Sequence, residues 1–294
     1  MKLKTLDYER VSKIFNDKIF EDNKKKLLEN LSKSPEVYLG LFRPTKPHTK
    51  LIQNITQSHE IRFGDAFEIY IRELFKAKGY EEIDRNHKVG DNYVQYDQLF
   101  KYKNRTVFIE QKMRDNHDST KKVGQFQNFE KKINILLDLG CNNISSYFYF
   151  IDDSFKKHKK YYANEIKSLC GHYGVDVCLC YGNELFNKEG LDYIWKEDII
   201  NFLCQWKEDL SELPELNFDL KPQETFEEIK DLSHFVWRKL LNNEDLIKVI
   251  FPIIFPQKKT ISLLKKYFCE KYKAKNDRRI KSLIDLIDKT PKCY

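Results

Sequence analysis

Two acidic residues and a lysine within residues 95–112 have types and spacing that suit metal-assisted hydrolysis. Asp97 lies in one apolar stretch, and Glu110 and Lys112 end a second one thirteen residues further on. Side chains alternate between the faces of a strand, so Glu110 and Lys112 point to one side, where Asp97 can meet them across a hairpin. Two carboxylates beside a lysine can hold a hard divalent cation and a water, which is the minimum that phosphodiester cleavage needs.

Hydrophobic periodicity predicts the elements that position these residues. Apolar spacing predicts helices over residues 6–31, 61–78, 125–139 and 191–206, with a lysine-rich helix before residue 170. Apolar runs predict strands near residues 94–100, 106–112, 145–151 and 175–181. Pro44 and Pro47 indicate an exposed loop before the helix that starts at Ile61. This order of elements implies an α/β fold with a mixed β-sheet flanked by helices.

Composition and periodicity divide the chain into four segments. Residues 1–58 form an N-terminal helical segment, and residues 59–207 contain the predicted sheet with its helices. Residues 208–225 are acidic and read as a linker. Residues 226–294 have helical periodicity and predict a helical C-terminal subdomain; its predicted helices cover 226–241, 244–251, 261–273 and 278–288.

Composition and charge indicate a folded protein with a polyanionic partner. The chain has 294 residues, 41% hydrophobic and 14% aromatic, which is enough for a core. Without an apolar run of membrane-span length or a signal-peptide stretch, we expect a cytoplasmic protein that binds no membrane. The net charge is +7, with nine Lys/Arg against four acids in residues 101–132 and ten against two in 257–281. Such clusters suit a polyanion, although solvated helix faces explain any one of them equally well.

The seven cysteines include no CxxC pair and predict free thiols in a reducing compartment. Cys170-x-His172 together with Cys178-x-Cys180 allows a zinc site as an alternative. Residues 177–181, however, are typical of a buried strand in which cysteine packs well.

The arrangement of Asp97 and Glu110-x-Lys112 on a hairpin between two helices resembles the PD-(D/E)xK nuclease superfamily over residues 61–181. Tyr96 stands where the superfamily pattern has proline, a position with little chemical constraint.

Two further stretches carry the resemblance. The preceding helix opens with Arg62-x-Gly64-x-Ala66-x-Glu68, similar to the glutamate-bearing helix of many of these nucleases. Residues 113–125 are similar to a segment of certain type II restriction endonucleases.

The resemblance implies a restriction-endonuclease-like core and a type II site-specific deoxyribonuclease that cuts double-stranded DNA to 5′-phosphate ends. Asp97, Glu110 and the backbone carbonyl of Gln111 would bind Mg²⁺. Lys112 would orient the attacking water or stabilise charge on the phosphoryl oxygens. Glu68 would bind a second metal ion or position Lys112, unless it is an ordinary solvated helix residue.

Residues after the second strand are the predicted DNA contacts. Arg114, Lys121 and Lys122 would pair with phosphates. Gln125 and Asn128 would contact bases or sugars, unless these amides are merely polar positions on a helix.

Several alternatives remain open. His117 could act as a general base. Equally, it could be a loop residue before the next helix, with Asp118, Ser119 or Thr120 as the N-cap. A structure-specific nuclease of the junction-resolvase or repair type would have the same site, and a non-catalytic DNA-binding protein would use the acids structurally. For a restriction enzyme we expect a homodimer and a cognate DNA methyltransferase. The C-terminal helices would then clamp DNA or form the dimer surface.

Overall fold

The computed structural model describes residues 3–90 and 92–290. These residues form two compact units. The first contains the chain up to Lys18 together with Arg62–Leu210, and the second contains Ile19–Ile61 together with the chain from Ser211 onward. None of the helices in the described residues is long and apolar enough to cross a membrane.

Four helices open the chain: α1 (Tyr8–Phe20), α2 (Asn23–Lys33), α3 (Glu36–Leu39) and α4 (Pro47–Ala77). The prediction that the fourth helix begins at Ile61 was wrong, because it begins at Pro47. Proline fits the first helical turn, where its missing N–H would have no intrahelical partner. Leu51 and Ile55 in this added part are buried in the core of the second unit.

The first unit contains the sheet. Its further elements are β1 (Glu81–Glu82), β2 (Asn86–Val89), β3 (Asn92–Gln95), β4 (Gln98–Tyr102), β5 (Arg105–Asp115), α5 (Ser119–Asp138), β6 (Ile144–Lys156), α6 (Lys159–Tyr173), β7 (Asp176–Tyr181), α7 (Glu184–Lys188), a π-helical turn (Trp195–Ile200) and α8 (Asn201–Glu208). The five-stranded sheet has the order β1-β4-β5-β6-β7. The β1–β4 and β4–β5 pairs are antiparallel, whereas β5–β6 and β6–β7 are parallel. The predicted α/β fold with a mixed sheet flanked by helices is therefore confirmed.

The prediction of one continuous strand over residues 94–100 was wrong. Strand β3 pairs with β2 in a separate two-stranded sheet, and β4 pairs with β5, so the chain leaves one sheet for the other at Tyr96–Asp97. Arg85 holds this bend: its backbone carbonyl accepts from Tyr96 N at 2.9 Å, and its Nη1 donates to the Asp97 carbonyl at 3.1 Å. Asp97 thus lies in a bend directly before β4.

Strand β5 is buried along most of its length, as a central strand should be. Val107, Phe108 and Ile109 have no exposed surface. Apolar side chains of α5 and α6 cover one face of the sheet. Rings of α1, α4 and α8 pack together elsewhere in the unit, where Phe15 lies 5.2 Å from Phe67 and 4.7 Å from Phe202 between ring centroids.

The two ends of β5 differ. At its start, Arg105 Nη1 lies 3.2 Å from Glu189 Oε1. The Tyr80 and Tyr147 hydroxyls also donate to Glu189, whose side chain has no exposed surface. At its other end the pairing of β5 with β6 shifts register between Arg114 and Asp115.

The C-terminal part of the second unit is helical: α9 (Pro222–Ile229), α10 (His234–Asn242), a π-helical turn (Leu246–Ile250), α11 (Phe251–Ile254), α12 (Lys259–Lys275) and α13 (Arg278–Lys289). The predicted helix over 226–241 is interrupted between Ile229 and His234, where Ser233 Oγ caps α10 by accepting from Val236 N. Part of the acidic segment 208–225 packs into this unit, since Phe218 is only 1% exposed. The division into four segments that the sequence suggests stays a prediction about independent folding.

Candidate active site

The structure brings Asp97, Glu110 and Lys112 together. Glu110 and Lys112 lie on one face of β5, and Asp97 lies just before Gln98, which pairs with Ile109. Lys112 Nζ lies 2.8 Å from Glu110 Oε1 and 3.2 Å from Asp97 Oδ2. Both carboxylates therefore reach one point on the same side of the sheet.

The Lys112 ammonium group lies among the three oxygens that the sequence assigns to a metal ion. Besides the two carboxylates, the carbonyl oxygen of Gln111 accepts from Lys112 Nζ at 3.0 Å. Two carboxylates and a carbonyl are hard oxygen ligands of the kind that Mg²⁺ prefers, and here they already converge on a positive group. The residues therefore fit a Mg²⁺ ion, provided that the ammonium group moves aside.

A second lysine, which the sequence analysis did not identify, reaches the same carboxylates from α5. Lys132 Nζ lies 2.6 Å from Glu110 Oε2 and 3.6 Å from Asp97 Oδ1. Lys132 is only 4% exposed and Glu110 1%. The sequence did carry a signal, because Lys132 lies on the apolar stripe of the helix, between Phe129 and Leu136. A lysine on a buried face needs a partner of opposite charge.

A backbone N–H and two arginine side chains hold Asp97 in place. The Gln111 N–H donates to Asp97 Oδ2 at 2.9 Å. The guanidinium groups of Arg72 and Arg85 both donate to the Asp97 carbonyl, at 3.4 and 3.1 Å. The carboxylate is therefore oriented by the strand that carries Glu110, which limits how far the two acids can separate.

Lys112 stays protonated at neutral pH. Burial acts to lower the pKa of its ammonium group, but the charges of Glu110 and Asp97 and their hydrogen bonds outweigh burial, so the pKa is raised. A lysine with a raised pKa donates hydrogen bonds and positive charge; it does not accept a proton from water.

Glu68, on α4, lies beside this group. Burial raises the pKa of its carboxyl to about 7, and the negative charges of Asp97 and Asp65 contribute to the rise. Lys112 and Arg72 act in the opposite direction. The Glu68 carboxyl is thus close enough to interact electrostatically with both Asp97 and Lys112, and it exchanges a proton near neutral pH. Its role in metal binding or in positioning Lys112 stays a prediction.

The predicted DNA contacts lie in different environments. Arg114 Nε lies 3.4 Å from Asp152 Oδ2, and Lys122 Nζ lies 4.6 Å from the centre of the Tyr161 ring. Lys121 and Asn128 are exposed, whereas Gln125 Oε1 accepts from the Tyr162 hydroxyl at 3.1 Å. Gln125 and Asn128 precede Lys132 by seven and four residues, so all three share one side of α5.

His117 is half-buried and lies outside the group formed by Asp97, Glu110 and Lys112. Its Nε2 lies 2.9 Å from the Tyr162 hydroxyl. Burial lowers the pKa of its ring, and the neighbouring His158 lowers it further. Helix α5 begins after Asp118, which is one of the predicted N-cap residues but makes no side-chain capping hydrogen bond.

The alternative zinc site at the cysteines is not formed in the described residues. Cys170 Sγ lies 3.7 Å from the Val177 carbonyl, and Cys178 Sγ lies 3.9 Å from Asp176 Oδ1. Within residues 3–90 and 92–290, the group of three potential metal ligands from His, Cys, Asp and Glu side chains contains no cysteine.

Residues 77–207 match the family described as type II restriction endonuclease, HinfI. The matched segment is somewhat less than half of the chain and contains the whole group formed by Asp97, Glu110, Lys112 and Lys132. No curated protein and no solved structure matches the chain.

Proposed function

We propose that the chain, whose residues 77–207 match the HinfI family of type II restriction endonucleases, cuts double-stranded DNA by Mg²⁺-dependent phosphodiester hydrolysis in a PD-(D/E)xK site. The observation that carries this proposal is the convergence of Asp97, Glu110 and the Gln111 carbonyl on the Lys112 ammonium group. The products are 5′-phosphate and 3′-hydroxyl ends.

Asp97, Glu110 and the Gln111 carbonyl hold the metal ion in this proposal. A bound Mg²⁺ supplies Lewis acidity toward water and toward the phosphoryl oxygens. The Gln111 N–H keeps Asp97 Oδ2 turned toward β5, and Lys132 keeps Glu110 Oε2 in place.

Lys112 changes partners in the reaction. Its ammonium group leaves the three oxygens when a metal ion enters and then donates a hydrogen bond to the attacking water or to a phosphoryl oxygen. In either position the ammonium group would supply positive charge to the transition state.

Glu68 supports the site from α4. With a pKa of about 7, its carboxyl can take up a proton next to the attacking water or, when ionised, bind a second metal ion. Phosphates contact Lys121, Lys122 and Arg114, and base edges contact Asn128 and Gln125.

In this role the protein acts as a homodimer in the cytoplasm, together with a DNA methyltransferase of the same specificity. A two-fold dimer suits a palindromic target. Sedimentation analysis of the DNA-bound protein in Ca²⁺ should give two chains per duplex; one chain per duplex would contradict the dimer.

Sequencing the ends of digestion products tests the proposal. Purified protein with Mg²⁺ should cut DNA at one sequence and leave 5′-phosphates, and chelation of Mg²⁺ should stop cutting. Asp97→Asn and Glu110→Gln should cut at least about 1000-fold more slowly while still binding the target in Ca²⁺. Asp138→Asn, at an exposed position of α5, serves as the control. A cleavage rate close to that of the unmodified protein in either active-site variant would contradict the proposal.

A further inference from the structure

Beyond the end of β5, three metal-binding side chains meet that have no part in the proposed cleavage. Asp115, His117 and His158 each offer one ligand atom, and these atoms all lie within 4.8 Å of one another. Asp115 ends β5, His117 precedes α5, and His158 directly precedes α6. The cluster thus joins three elements of the first unit.

Asp115 has a buried oxygen without a hydrogen-bond partner. The residue has no exposed surface, and its Oδ2 accepts from His158 N at 2.8 Å and from the Tyr181 hydroxyl at 3.0 Å. Its Oδ1 is buried and finds no partner among the described residues. Burying a carboxylate oxygen without a hydrogen-bond partner costs folding free energy, and a bound cation would remove that cost.

His158 is oriented as metal-bound histidines are. Its Nε2 lies 2.9 Å from the carbonyl oxygen of His117, which can only accept, so Nε2 carries the proton. In the neutral ring Nδ1 then has a free lone pair. A ring N–H donated to a backbone carbonyl is the usual arrangement that fixes the tautomer of a metal-ligating histidine.

His117 completes the group. Its Nε2 lies 2.9 Å from the Tyr162 hydroxyl, which donates its proton to Gln125 Oε1 in the described arrangement. Tyr162 can keep that bond to Gln125 if His117 turns from the hydroxyl toward a metal ion. In a tetrahedral site with metal–ligand bonds of about 2.1 Å, two ligand atoms lie about 3.4 Å apart. The ligand atoms of this cluster lie within 4.8 Å of one another, so each pair has to close by at most about 1.4 Å when an ion binds.

We propose that Asp115, His117 and His158 bind one divalent transition-metal ion, with Zn²⁺ as the best match, at a site that shares no residue with the Mg²⁺ ligands. Two imidazoles and one carboxylate are the ligand types of zinc and leave a fourth position for water. Hard Mg²⁺ prefers all-oxygen sites. The ion ties the end of β5 to the starts of α5 and α6, so its role is to hold these elements together.

Co²⁺ absorption spectroscopy on the full chain tests this site. All measurements start from a background protein, the double variant Asp97→Asn/Glu110→Gln, in excess Mg²⁺. Neither DNA cleavage nor the proposed Mg²⁺ ligands can then affect the result. One Co²⁺ per chain should bind and give a visible spectrum without sulfur-to-cobalt charge transfer, and Zn²⁺ should displace it.

Asp115→Asn and His117→Gln should each weaken Co²⁺ binding at least about tenfold. His48→Ala, at an exposed histidine far along the sequence, should leave binding unchanged. In thermal unfolding, Zn²⁺ should raise the midpoint of the background protein and raise that of Asp115→Asn much less. This comparison remains informative if one substitution lowers stability by itself.

Three results would each overturn the proposal: no Co²⁺ binding, binding that both substitutions leave unchanged, or a spectrum dominated by thiolate charge transfer. None of these results depends on whether the protein cuts DNA. Conversely, a failure to cut DNA would leave a positive Co²⁺ result standing.

Discussion

Lys132 Nζ lies 2.6 Å from Glu110 Oε2, while Lys112 Nζ lies 2.8 Å from the other oxygen of the same carboxylate. Glu110 is therefore bound on both oxygens by ammonium groups, one from its own strand and one from α5. Asp97 is also within reach of both lysines, so two negative charges meet two positive charges in a partly buried space. A divalent ion that enters this group competes with the chain's own cations.

Replacement of Lys132 should separate metal affinity from turnover. Lys132→Met keeps most of the side-chain volume and removes a positive charge next to the metal ligands. We expect half-maximal cleavage at a lower Mg²⁺ concentration and a kcat that falls at least about 100-fold, because Glu110 loses its positioning partner. Steady-state cleavage over a Mg²⁺ series measures both.

Lys131→Met is the matched control, since Lys131 is the exposed neighbour on the same helix. A loss of activity in Lys132→Met with a higher Mg²⁺ requirement would argue for a purely structural lysine.

Replacement of Lys112 should make room for the metal ion while abolishing catalysis. In Lys112→Met no ammonium group has to leave the three oxygens, so Ca²⁺ should bind several-fold more tightly in calorimetry than to the unmodified protein. DNA cleavage should fall at least about 1000-fold. Weaker Ca²⁺ binding in this variant would mean that Lys112 does not occupy the metal position.

Glu68 should make the stability of the metal-free protein depend on pH. Its folded-state pKa of about 7 lies above the ordinary 4.5, so the folded protein binds this proton more tightly than the unfolded chain does. The stabilisation is complete below pH 4.5 and is lost as the pH rises through about 7. Glu68→Gln cannot ionise and should gain roughly 2 kcal/mol relative to the unmodified protein between pH 5 and 8.

Urea unfolding in the presence of a chelator measures this difference at each pH. Glu130→Gln, which removes one carboxylate from α5, is the control. A stability difference for Glu68→Gln that stays constant from pH 5 to 8 would contradict the assignment.

Asn128, on the same side of α5 as Lys132, should contribute to sequence discrimination. Asn128→Ala should lower the preference for the cognate over a singly mismatched site, at a cost of about 1–3 kcal/mol. Gln127→Ala, an exposed amide one residue earlier, should leave that preference unchanged. Cleavage competition between the two sites gives the ratio directly. Equal discrimination by Asn128→Ala and the unmodified protein would show that Asn128 does not contribute to sequence recognition.

Lys121→Met should instead weaken binding to all DNA sequences and reduce the salt dependence of binding.

Local patterns in the sequence were sufficient for the part of the site that lies on adjacent strands. The alternation in residues 106–112 puts Glu110 and Lys112 on one face, and the short turn before β5 brings the preceding strand alongside. Asp97, Glu110 and Lys112 can therefore be grouped from the amino-acid sequence alone, because hairpin pairing depends on near neighbours in the chain.

Non-local contacts determine what the sequence did not reveal. The bend at Tyr96–Asp97 depends on Arg85, which lies in the connection between β1 and β2, and hydrophobicity alone makes residues 94–100 look like a single strand. Likewise, Lys132 reaches Glu110 only because α5 packs on the sheet in one particular rotation. The roles of these residues in catalysis stay predictions that the experiments above address.

The contrast between the two ends of β5 bears on how a duplex gains access. Arg105 at the start is bound to Glu189, which also accepts hydrogen bonds from two tyrosine hydroxyls, so sliding of the strand at that end would break the ionic contact with the buried Glu189 side chain. The pairing beyond Arg114 is irregular and loses fewer backbone bonds when it opens. A movement of this sheet that accommodates a DNA backbone should therefore take place at the 114–115 end and leave the distance between Asp97 and Glu110 nearly constant.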